Sequence, residues 1–599
     1  MESGKQWLEA FPRKYIPQEL VFKQWGDIEK YFNELSEREL KTVRDMEQWL
    51  FDWSEARSVV EEYSSRAYVE MTCHTDDESC KNAYLECVRN IDPKLMEWEN
   101  KRDHKYYQTP IRGKLNAYLF SQFDRMKKAH IELYTEKNLP LEVRLRELSQ
   151  KYQELIGGMT VNFDGEERTM PQMAQYLKQQ DRDLRERAYM AATRRRLEEK
   201  DRLDDIFDEM LKVRAEFAAN LGLESYMDYC FRSKLRDYTP EDCLKFHKSI
   251  ENTAVVLSRK LMKARKEALK LDSLKPWDLD CDIKGRAPLK PFDTPDELSG
   301  KVSQIFEKLD PRLGERFESI RFSMDLDSRK GKAPGGYQTT FAEARLPFIF
   351  TNAVGSQNNV NTLLHEGGHA FHTLESRTQP LMWYRHAPME FSEVASMSCE
   401  LLGGRTLDPF YPDEENRRRA RLEHLKGVAG LFGWVALVDA FQHWLYTSPG
   451  HSREERNAKW VELYERFGGG GVDWAGAPEG ALEFLWHRQL HIFEVPFYYI
   501  EYAIAQLGAL QIYENYMKMS RLESEVASAV SGCGAHLSQD ARDHLDPRQV
   551  IDSYLFALSE GGSRSAPVLF QSAGISFDFG AELLGRLMEM VEEEIDELG

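Results

Sequence analysis

The 599-residue chain lacks both a long hydrophobic run and an excess of basic charge. No stretch approaches the roughly eighteen apolar residues of a membrane span, and the first residues lack the charged-then-apolar pattern of a signal peptide. Its 80 basic and 100 acidic side chains give a formal net charge of −20, the wrong sign for a general nucleic-acid binder. We therefore expect neither a membrane nor a nucleic acid as a partner.

Cysteine is scarce, and the spacing of the cysteines contains no metal-binding motif. None of the eight cysteines forms a Cys-x-x-Cys pair, and Cys73, Cys80 and Cys87 are spaced seven apart, as packing positions along one helix face are. This pattern does not indicate a disulfide framework. We expect a reduced, cytoplasmic protein.

The composition and periodicity indicate a soluble, mainly α protein with a small sheet. Hydrophobic residues make up 42% of the chain and charged residues 30%, which permits a large core under a solvated surface. Long helical patterns fill the first two hundred residues, except where Val161 and Phe163 alternate before Asp164-Gly165, a hairpin signal. Three strand-like segments follow later, at 320–326, 332–341 and 346–352.

One apolar, helix-like segment, residues 361–372, contains the pattern His-Glu-x-x-His. Residues four apart lie one above the other on a helix, so His365 and His369 present two imidazoles to one point, as a tetrahedral zinc ion requires. Glu366 lies about one hundred degrees round from His365, which suits a general base acting on a metal-bound water. The alternative is a solvated or core-packed histidine pair without a metal.

Two glycines lie between these histidines and favour a functional site. Gly367 and Gly368 each cost roughly 1 kcal/mol relative to alanine in a helix interior, and a purely structural helix has no evident reason for them. The missing side chains would let a substrate or a neighbouring backbone come close.

A zinc ion bound by two histidines needs a third protein ligand. His372 and Glu375 fall near the ligand spacing of the metzincins, but position 372 is His where that motif has Gly, and position 375 is Glu where it has His. Without the glycine turn the helix should continue and take Glu375 away from the metal. We therefore reject this interpretation.

A second helix offers a better source of the third ligand. Pro388 suits the first turn of a helix, on which Glu393, Ser396 and Glu400 share one face by spacings of three and four. Such a helix, crossing the first, could supply one carboxylate to the metal and place another polar group behind a ligand.

The pattern His-Glu-x-Gly-His, followed about two dozen residues later by Phe391-x-Glu393-x-x-Ser396, resembles the thimet oligopeptidase and oligoendopeptidase F family of zinc peptidases. The resemblance implies one zinc ion per chain with Glu393 as the third ligand and Glu390 as the alternative. It also implies a two-lobed helical body around a deep substrate channel that admits short unstructured peptides.

The hairpin and the helix after it also resemble the oligoendopeptidase F branch. We place a boundary just beyond them, so that residues 1–200 form an N-terminal helical lobe and residues 201–599 a catalytic lobe. The edge strand of the small sheet is expected to bind an extended peptide by strand addition; the alternative is a sheet that only caps the helices. The resemblance extends substrate binding to Phe348, Phe350, Asn352, Ala353 and Gly355.

An aromatic cluster near residue 500 is the last candidate. Tyr499 and Tyr502 lie three apart on a helix predicted to begin at Pro496, and such spacing is more often core packing than chemistry. The resemblance implies instead that both tyrosines and His491 donate hydrogen bonds to the transition state. Tyr498 is a further substrate-binding candidate.

The sequence thus predicts a zinc-dependent oligopeptidase that cuts internal peptide bonds. A carboxypeptidase or dipeptidyl carboxypeptidase on the same scaffold is the alternative among enzymes. A catalytically silent peptide-binding protein and a zinc-stabilised structural protein are the alternatives from other classes. The sequence does not indicate an oligomeric state.

Overall fold

A computed structural model describes residues 11–329, 331–333, 335–468, 470–532 and 546–599. Helices form most of it, which confirms the predicted mainly α fold. They are α1 (Trp25–Glu37), α2 (Val43–Cys73), α3 (Glu78–Glu86), α4 (Asp92–Gln108), α5 (Ala117–Glu132), α6 (Leu139–Gly157), α7 (Met170–Tyr176), α8 (Arg182–Leu197), α9 (Lys200–Asn220), α10 (Tyr226–Ser233), α11 (Pro240–Asn252), α12 (Ala254–Ala268), α13 (Pro295–Leu309), α14 (Pro311–Ile320), α15 (Gln357–Ser376), α16 (Met389–Gly403), α17 (Glu414–Thr447), α18 (Arg453–Phe467), α19 (Leu490–Glu494), α20 (Ile500–Gly532), α21 (Arg548–Glu560), α22 (Ala566–Ser572) and α23 (Ala581–Leu598).

Two small sheets interrupt the helices. Strands β1 (Thr160–Phe163) and β2 (Glu166–Thr169) form the predicted antiparallel hairpin. Its turn residues Asp164 and Gly165 both have positive φ, at 51° and 85°, as a tight two-residue hairpin turn requires. The second sheet contains β3 (Met324–Asp327), β4 (Tyr337–Phe341) and β5 (Leu346–Ala353). Strand β3 begins later than predicted, because α14 continues through Ile320.

The order of the second sheet corrects one prediction. Strand β5 pairs in parallel with β3 and antiparallel with β4, so the spatial order is β3-β5-β4. The segment from Phe348 to Ala353, predicted to be an edge strand, is therefore the central strand. The prediction was wrong because the edge of a sheet depends on strand pairing, which alternation along the chain does not specify.

The described chain divides into two compact units, each built from three segments. The first unit contains residues 1–132, 290–420 and 505–577, and the second contains residues 133–289, 421–504 and 578–599. This division differs from the single boundary predicted near residue 200. Each unit is assembled from helices far apart in sequence, and the resemblance around the hairpin, from which the boundary was predicted, does not specify such packing.

The first unit has a tryptophan-rich core that encloses a lysine. Lys127 on α5 is fully buried, with its Nζ 2.9 Å from Asp103 Oδ1, and Asp103 is only 2% exposed. The same Nζ lies 4.3 Å from the ring centre of Trp53 and 4.4 Å from that of Trp383. Burying both charges is costly, and the ion pair with its flanking aromatic faces offsets that cost.

Among the described residues, α17 is long and apolar enough to cross a membrane by length and composition, which corrects the expectation that no stretch of the chain would be. Its most apolar window is 61% buried within the protein, as the core helix of a soluble protein would be. The helix is therefore weak evidence for a membrane span.

Replacing Lys127 by Met should destabilise the first unit, because it leaves the Asp103 carboxylate buried without its main counter-charge. We expect the free energy of unfolding to fall by about 3 kcal/mol, seen as a lower urea midpoint. Lys128→Met is the matched control, since the neighbouring Lys128 side chain is 61% exposed and lies 3.8 Å from Glu132; it should change the midpoint little. Equal midpoints for the two variants would contradict this account.

Candidate metal centre

The candidate metal centre lies in the first unit, on helices α15 and α16. The chain turns into α15 at Gly355, whose φ is +84°. The side-chain oxygen of Asn359 then accepts hydrogen bonds from the backbone N–H groups of Val354 and Ser356, at 3.0 Å and 3.1 Å. This local capping fixes where α15 begins and hence which face presents the His-Glu-x-x-His residues.

Three donor atoms converge on one point. The side chains of His365, His369 and Glu393 each place one ligand atom within 4.8 Å of the others. Glu393 Oε2 lies 3.4 Å from His365 Nε2 and 3.6 Å from His369 Nε2. Ligands at about 2.0–2.2 Å from a tetrahedral zinc ion are separated by roughly 3.3–3.6 Å, so the donor set fits zinc.

The two glycines explain how the helices come so close. A Cβ atom on Gly368 would lie 2.5 Å from the carbonyl oxygen of Ala395 and 2.5 Å from the Cα atom of Ser396. A Cβ atom on Gly367 would lie 2.8 Å from Cζ of Phe306. Of the two expected uses of these glycines, the close approach of a neighbouring backbone is the one that the structure shows at Gly368.

Two further polar groups hold the ligands in position. Ser396 Oγ donates a hydrogen bond to Glu393 Oε2 at 3.1 Å. The three-residue spacing of Glu and Ser in the Phe-x-Glu-x-x-Ser pattern thus places a hydroxyl group beside the ligand carboxylate. Glu400 Oε1 lies 2.7 Å from His365 Nδ1, so the opposite ring nitrogen, Nε2, is directed at the donor cluster. A carboxylate behind a histidine in this way fixes its tautomer and raises its basicity as a ligand.

The electrostatic environment favours a cation at this point. Burial lowers the pKa of His369 to about 4, so its imidazole is neutral and able to bind a metal. Burial also lowers the pKa of His365, but its contacts with Glu393 and Glu400 outweigh burial and raise the pKa well above its ordinary value. Two carboxylates around one imidazole thus stabilise positive charge.

Glu366 lies beside the donor cluster and is 6% exposed. Burial raises its pKa to about 7, with Glu393 and Glu400 adding to the rise, while His365 and the backbone N–H of Gln338 lower the pKa. A carboxyl group with a pKa near neutrality can both accept and return a proton.

The two rejected ligand candidates, His372 and Glu375, and the alternative third ligand, Glu390, lie on the same two helices. Helix α15 continues through Glu375, whose Oε1 forms an ion pair with Arg316 Nε at 2.8 Å. His372 is buried, and burial lowers its pKa to about 3. Glu390 is also buried but does not belong to the group of converging donors found among the described residues.

The predicted substrate-binding residues of β5 make structural contacts. Phe350 is fully buried and stacks on Tyr337 at 4.8 Å, and Phe348 packs against the same cluster. Asn352 Nδ2 donates to the carbonyl oxygens of Ala333 and Gly335, at 2.8 Å and 2.9 Å, and so holds the turn before β4. Ala353 pairs with β3, and Gly355 forms the turn into α15. A substrate role for these residues stays a prediction, without the open backbone edge that was expected.

That open edge belongs to β4, which has β5 on one side only among the described strands. Strand β4 lies along α15, where Thr340 Oγ1 and Thr373 Oγ1 are 2.8 Å apart. Its residue Gln338 influences the pKa of Glu366 through a backbone N–H. The sequence analysis missed Gln338, because no side-chain pattern identifies a residue that acts through its backbone.

The tyrosine and histidine candidates form a cluster within the second unit. Tyr502 Oη lies 3.4 Å from His491 Nε2, and the ring centres of Tyr499 and His491 are 4.8 Å apart. Tyr498 joins the cluster, with its ring centre 5.7 Å from that of His491. Burial raises the pKa of Tyr499, against the effect of hydrogen bonding to Trp434 and Gln489.

The predicted helix start at Pro496 is wrong, because α20 begins at Ile500. Phe497 has a positive φ of 62°, which a helix cannot accommodate. Its backbone N–H donates to Gln442 Oε1 at 2.8 Å, and Arg236 binds its carbonyl oxygen. These two contacts hold a strained turn directly before Tyr498.

A short hydrogen-bond chain orients His491, and the sequence analysis did not predict it. Trp434 Nε1 donates to Gln489 Oε1 at 3.0 Å, and Gln489 Nε2 lies 2.9 Å from His491 Nδ1. Gln489 stands two residues before His491, but Trp434 belongs to a distant helix that only tertiary packing brings near.

Comparison with known families gives two matches. Residues 175–588 match the sequence pattern of peptidase family M3, and residues 19–134 match that of the peptidase M3 N-terminal domain. Oligopeptidase PepF of Bacillus subtilis (strain 168) is 24% identical over 357 residues, which are 58% of this chain and 47% of that protein. The aligned part thus spans about half the length of this curated relative.

Solved structures show the same fold over nearly the whole chain. PZ peptidase A with inhibitor 2 superposes with a TM-score of 0.84 at 24% identity, covering 98% of this chain and 99% of that one. A structure described as oligoendopeptidase F from Bacillus anthracis str. Ames gives a TM-score of 0.81 at 23% identity, with 98% and 99% covered. At these identities the likeness concerns the fold.

Replacing Gly368 by Ala should force α16 away from α15 and separate Glu393 from the two histidines. We expect bound zinc to fall by close to one equivalent per chain relative to the parent in metal analysis after gel filtration, because even small shifts disrupt a three-ligand site. Gly427→Ala on α17 is the control, since a Cβ atom there would meet nothing within 4 Å; this variant should keep its zinc. Full zinc occupancy in the Gly368 variant would show that the close crossing is unnecessary.

Proposed function

This chain belongs to peptidase family M3, and from that membership we propose that it is a zinc-dependent oligopeptidase that hydrolyses internal bonds of short, unstructured peptides. The observation that supports this most directly is the convergence of His365, His369 and Glu393 around one point, with the buried carboxyl group of Glu366 beside them. His365 and His369 are 23% and 18% exposed in their side chains, so the site keeps an accessible side, as a catalytic zinc site does.

When bound, the zinc ion acts as a Lewis acid that lowers the pKa of a water molecule and polarises the scissile carbonyl group. A carboxylate oxygen of Glu366 accepts a proton from the attacking water and then donates it to the nitrogen of the leaving amine. Glu400 keeps the His365 ring in place, and Ser396 holds the Glu393 carboxylate during these steps. No large movement of these four side chains is required, because their hydrogen bonds already fix their orientation.

The open edge of β4 is where we place the peptide backbone of the substrate. An extended peptide adds to an unpaired strand edge through main-chain hydrogen bonds, which are largely independent of its side chains. Gln338 lies on β4, next to Glu366, so a peptide bound there would pass close to the general base. This mode of binding suits unstructured peptides, since a folded protein does not present a free strand.

Mass spectrometry of digested peptides with both termini blocked tests this proposal. We expect internal cuts by the zinc-loaded protein and none after chelation. Glu366→Gln should retain zinc and fold but lower kcat at least about a hundredfold, because the amide cannot accept the proton.

Glu375→Gln is the control, since this carboxylate is on the same helix but pairs with Arg316; turnover should continue. Cleavage at only the unblocked C-terminus of matched peptides would instead support a carboxypeptidase. Unchanged turnover in Glu366→Gln would refute the general-base role, and zinc-loaded protein that binds but never cuts peptides would support a silent peptide-binding protein.

Tyr502→Phe tests the donor role that the family resemblance assigns to this residue. Loss of one transition-state hydrogen bond costs about 3 kcal/mol, so kcat should fall roughly a hundredfold while KM changes much less. Steady-state kinetics on one fluorogenic peptide measures both constants. Tyr229→Phe, at a half-buried position of the second unit, is the control and should leave kcat unchanged. An unchanged kcat in Tyr502→Phe would assign Tyr502 to core packing.

A further inference from the structure

A second group of metal-ligand side chains lies in the second unit. Cys243 and His247 stand four residues apart on α11, and Asp439 and His443 stand four residues apart on α17. Residues at this spacing share one helix face, so each helix presents two donor groups to the other. The same spacing places His365 and His369 together on α15.

The distances match those between ligands of one ion. Cys243, Asp439 and His443 each place a ligand atom within 4.8 Å of the others. His443 Nε2 lies 3.2 Å from Asp439 Oδ2, close to the separation expected for two ligands about 2.0–2.2 Å from a tetrahedral zinc ion. His247 Nε2 contacts the same Asp439 oxygen at 2.8 Å.

This cluster is closed to solvent and incompletely hydrogen-bonded. Asp439 is fully buried and Cys243 is 1% exposed, and the rings of Phe231 and Phe497 pack against His443. Among the described residues Asp439 Oδ1 has no hydrogen-bond partner, and the 3.2 Å contact of His443 Nε2 with Asp439 Oδ2 lacks hydrogen-bond geometry. Buried polar atoms left unpaired cost free energy, and a carboxylate oxygen and an imidazole nitrogen left free at one point are both potential metal ligands.

The charged groups around Asp439 also favour a bound cation. Among the described residues, the ion-pair partners of Asp439 are His247 and His443, and none is a lysine or an arginine. A fully buried carboxylate without a lysine or arginine partner is stabilised by a bound cation.

We propose that Cys243, Asp439 and His443 bind a second transition-metal ion, with Zn²⁺ the best match, and that this ion is structural. A thiolate and an imidazole together favour zinc over magnesium or calcium, and a site closed to solvent is typical of structural zinc. Binding displaces the thiol proton of Cys243, so that one proton is released as the sulfur–metal bond forms. His247 positions the Asp439 carboxylate from behind, as Glu400 positions His365.

Metal counting on the whole 599-residue chain tests this without altering the buried cluster. The variant His369→Ala with Glu393→Ala removes two ligands of the first centre. If the second site exists, this variant keeps about one zinc ion per chain after dialysis against a weak chelator, and the parent keeps about two. A parent with about one ion and a double variant with none would overturn the proposal. This outcome is independent of peptidase activity.

Replacing the bound zinc by cobalt tests whether Cys243 is a ligand of the second ion. The first centre has no sulfur ligand, so a thiolate-to-cobalt charge-transfer band in the His369→Ala, Glu393→Ala protein reports a cysteine. We expect the band in that protein, its loss when Cys243→Ser is added, and its retention with Cys230→Ser, another buried free cysteine. Absence of the band in the double variant would contradict the assignment, and so would a band that persists after Cys243→Ser is added. If Cys243→Ser fails to fold, the presence or absence of the band in the double variant decides the question.

Discussion

The close crossing of α15 and α16 is the constraint on which the first metal centre depends. The histidine pair is local to one helix, but the third donor arrives from another helix, and the two backbones can approach only because Gly368 has no side chain. The cost of glycine in a helix interior is thereby offset by a contact that no other residue permits. Glu393 lies one turn from the point of closest approach, so the geometry of the donor set follows directly from how tightly the helices pack.

Three carboxyl groups gathered in one partly buried region would repel each other without compensation. Glu393 and Glu400 are compensated by the imidazole of His365, whereas Glu366 instead has its pKa raised by burial. The same sequence neighbourhood thus contains a ligand, an orienting carboxylate and a proton acceptor, distinguished by surroundings rather than residue type. The sheet contributes through β4, whose backbone reaches Glu366, while the hydrophobic side chains of β5 hold the sheet in place.

The first metal centre and the cluster of Cys243, Asp439 and His443 share one arrangement of donors but differ in their surroundings. Each combines a pair of donors four residues apart on one helix with a third donor from another helix. The first keeps its histidine side chains partly accessible, while the second is sealed by aromatic rings and contains a cysteine. Accessibility and ligand type distinguish a centre suited to chemistry from one suited to holding two helices together.

The sequence by itself determined the local features: the predominance of helices, the hairpin turn at Asp164-Gly165, and the face of α15 that presents His365 and His369. These follow from periodicity and turn chemistry, which act over a few residues. The central position of β5, the turn at Phe497 and the approach of Asp439 to Cys243 were decided only by tertiary structure. Their physical reason is the same in each case: contacts between residues distant in sequence depend on how whole helices and strands pack, and neighbouring residues do not encode that packing.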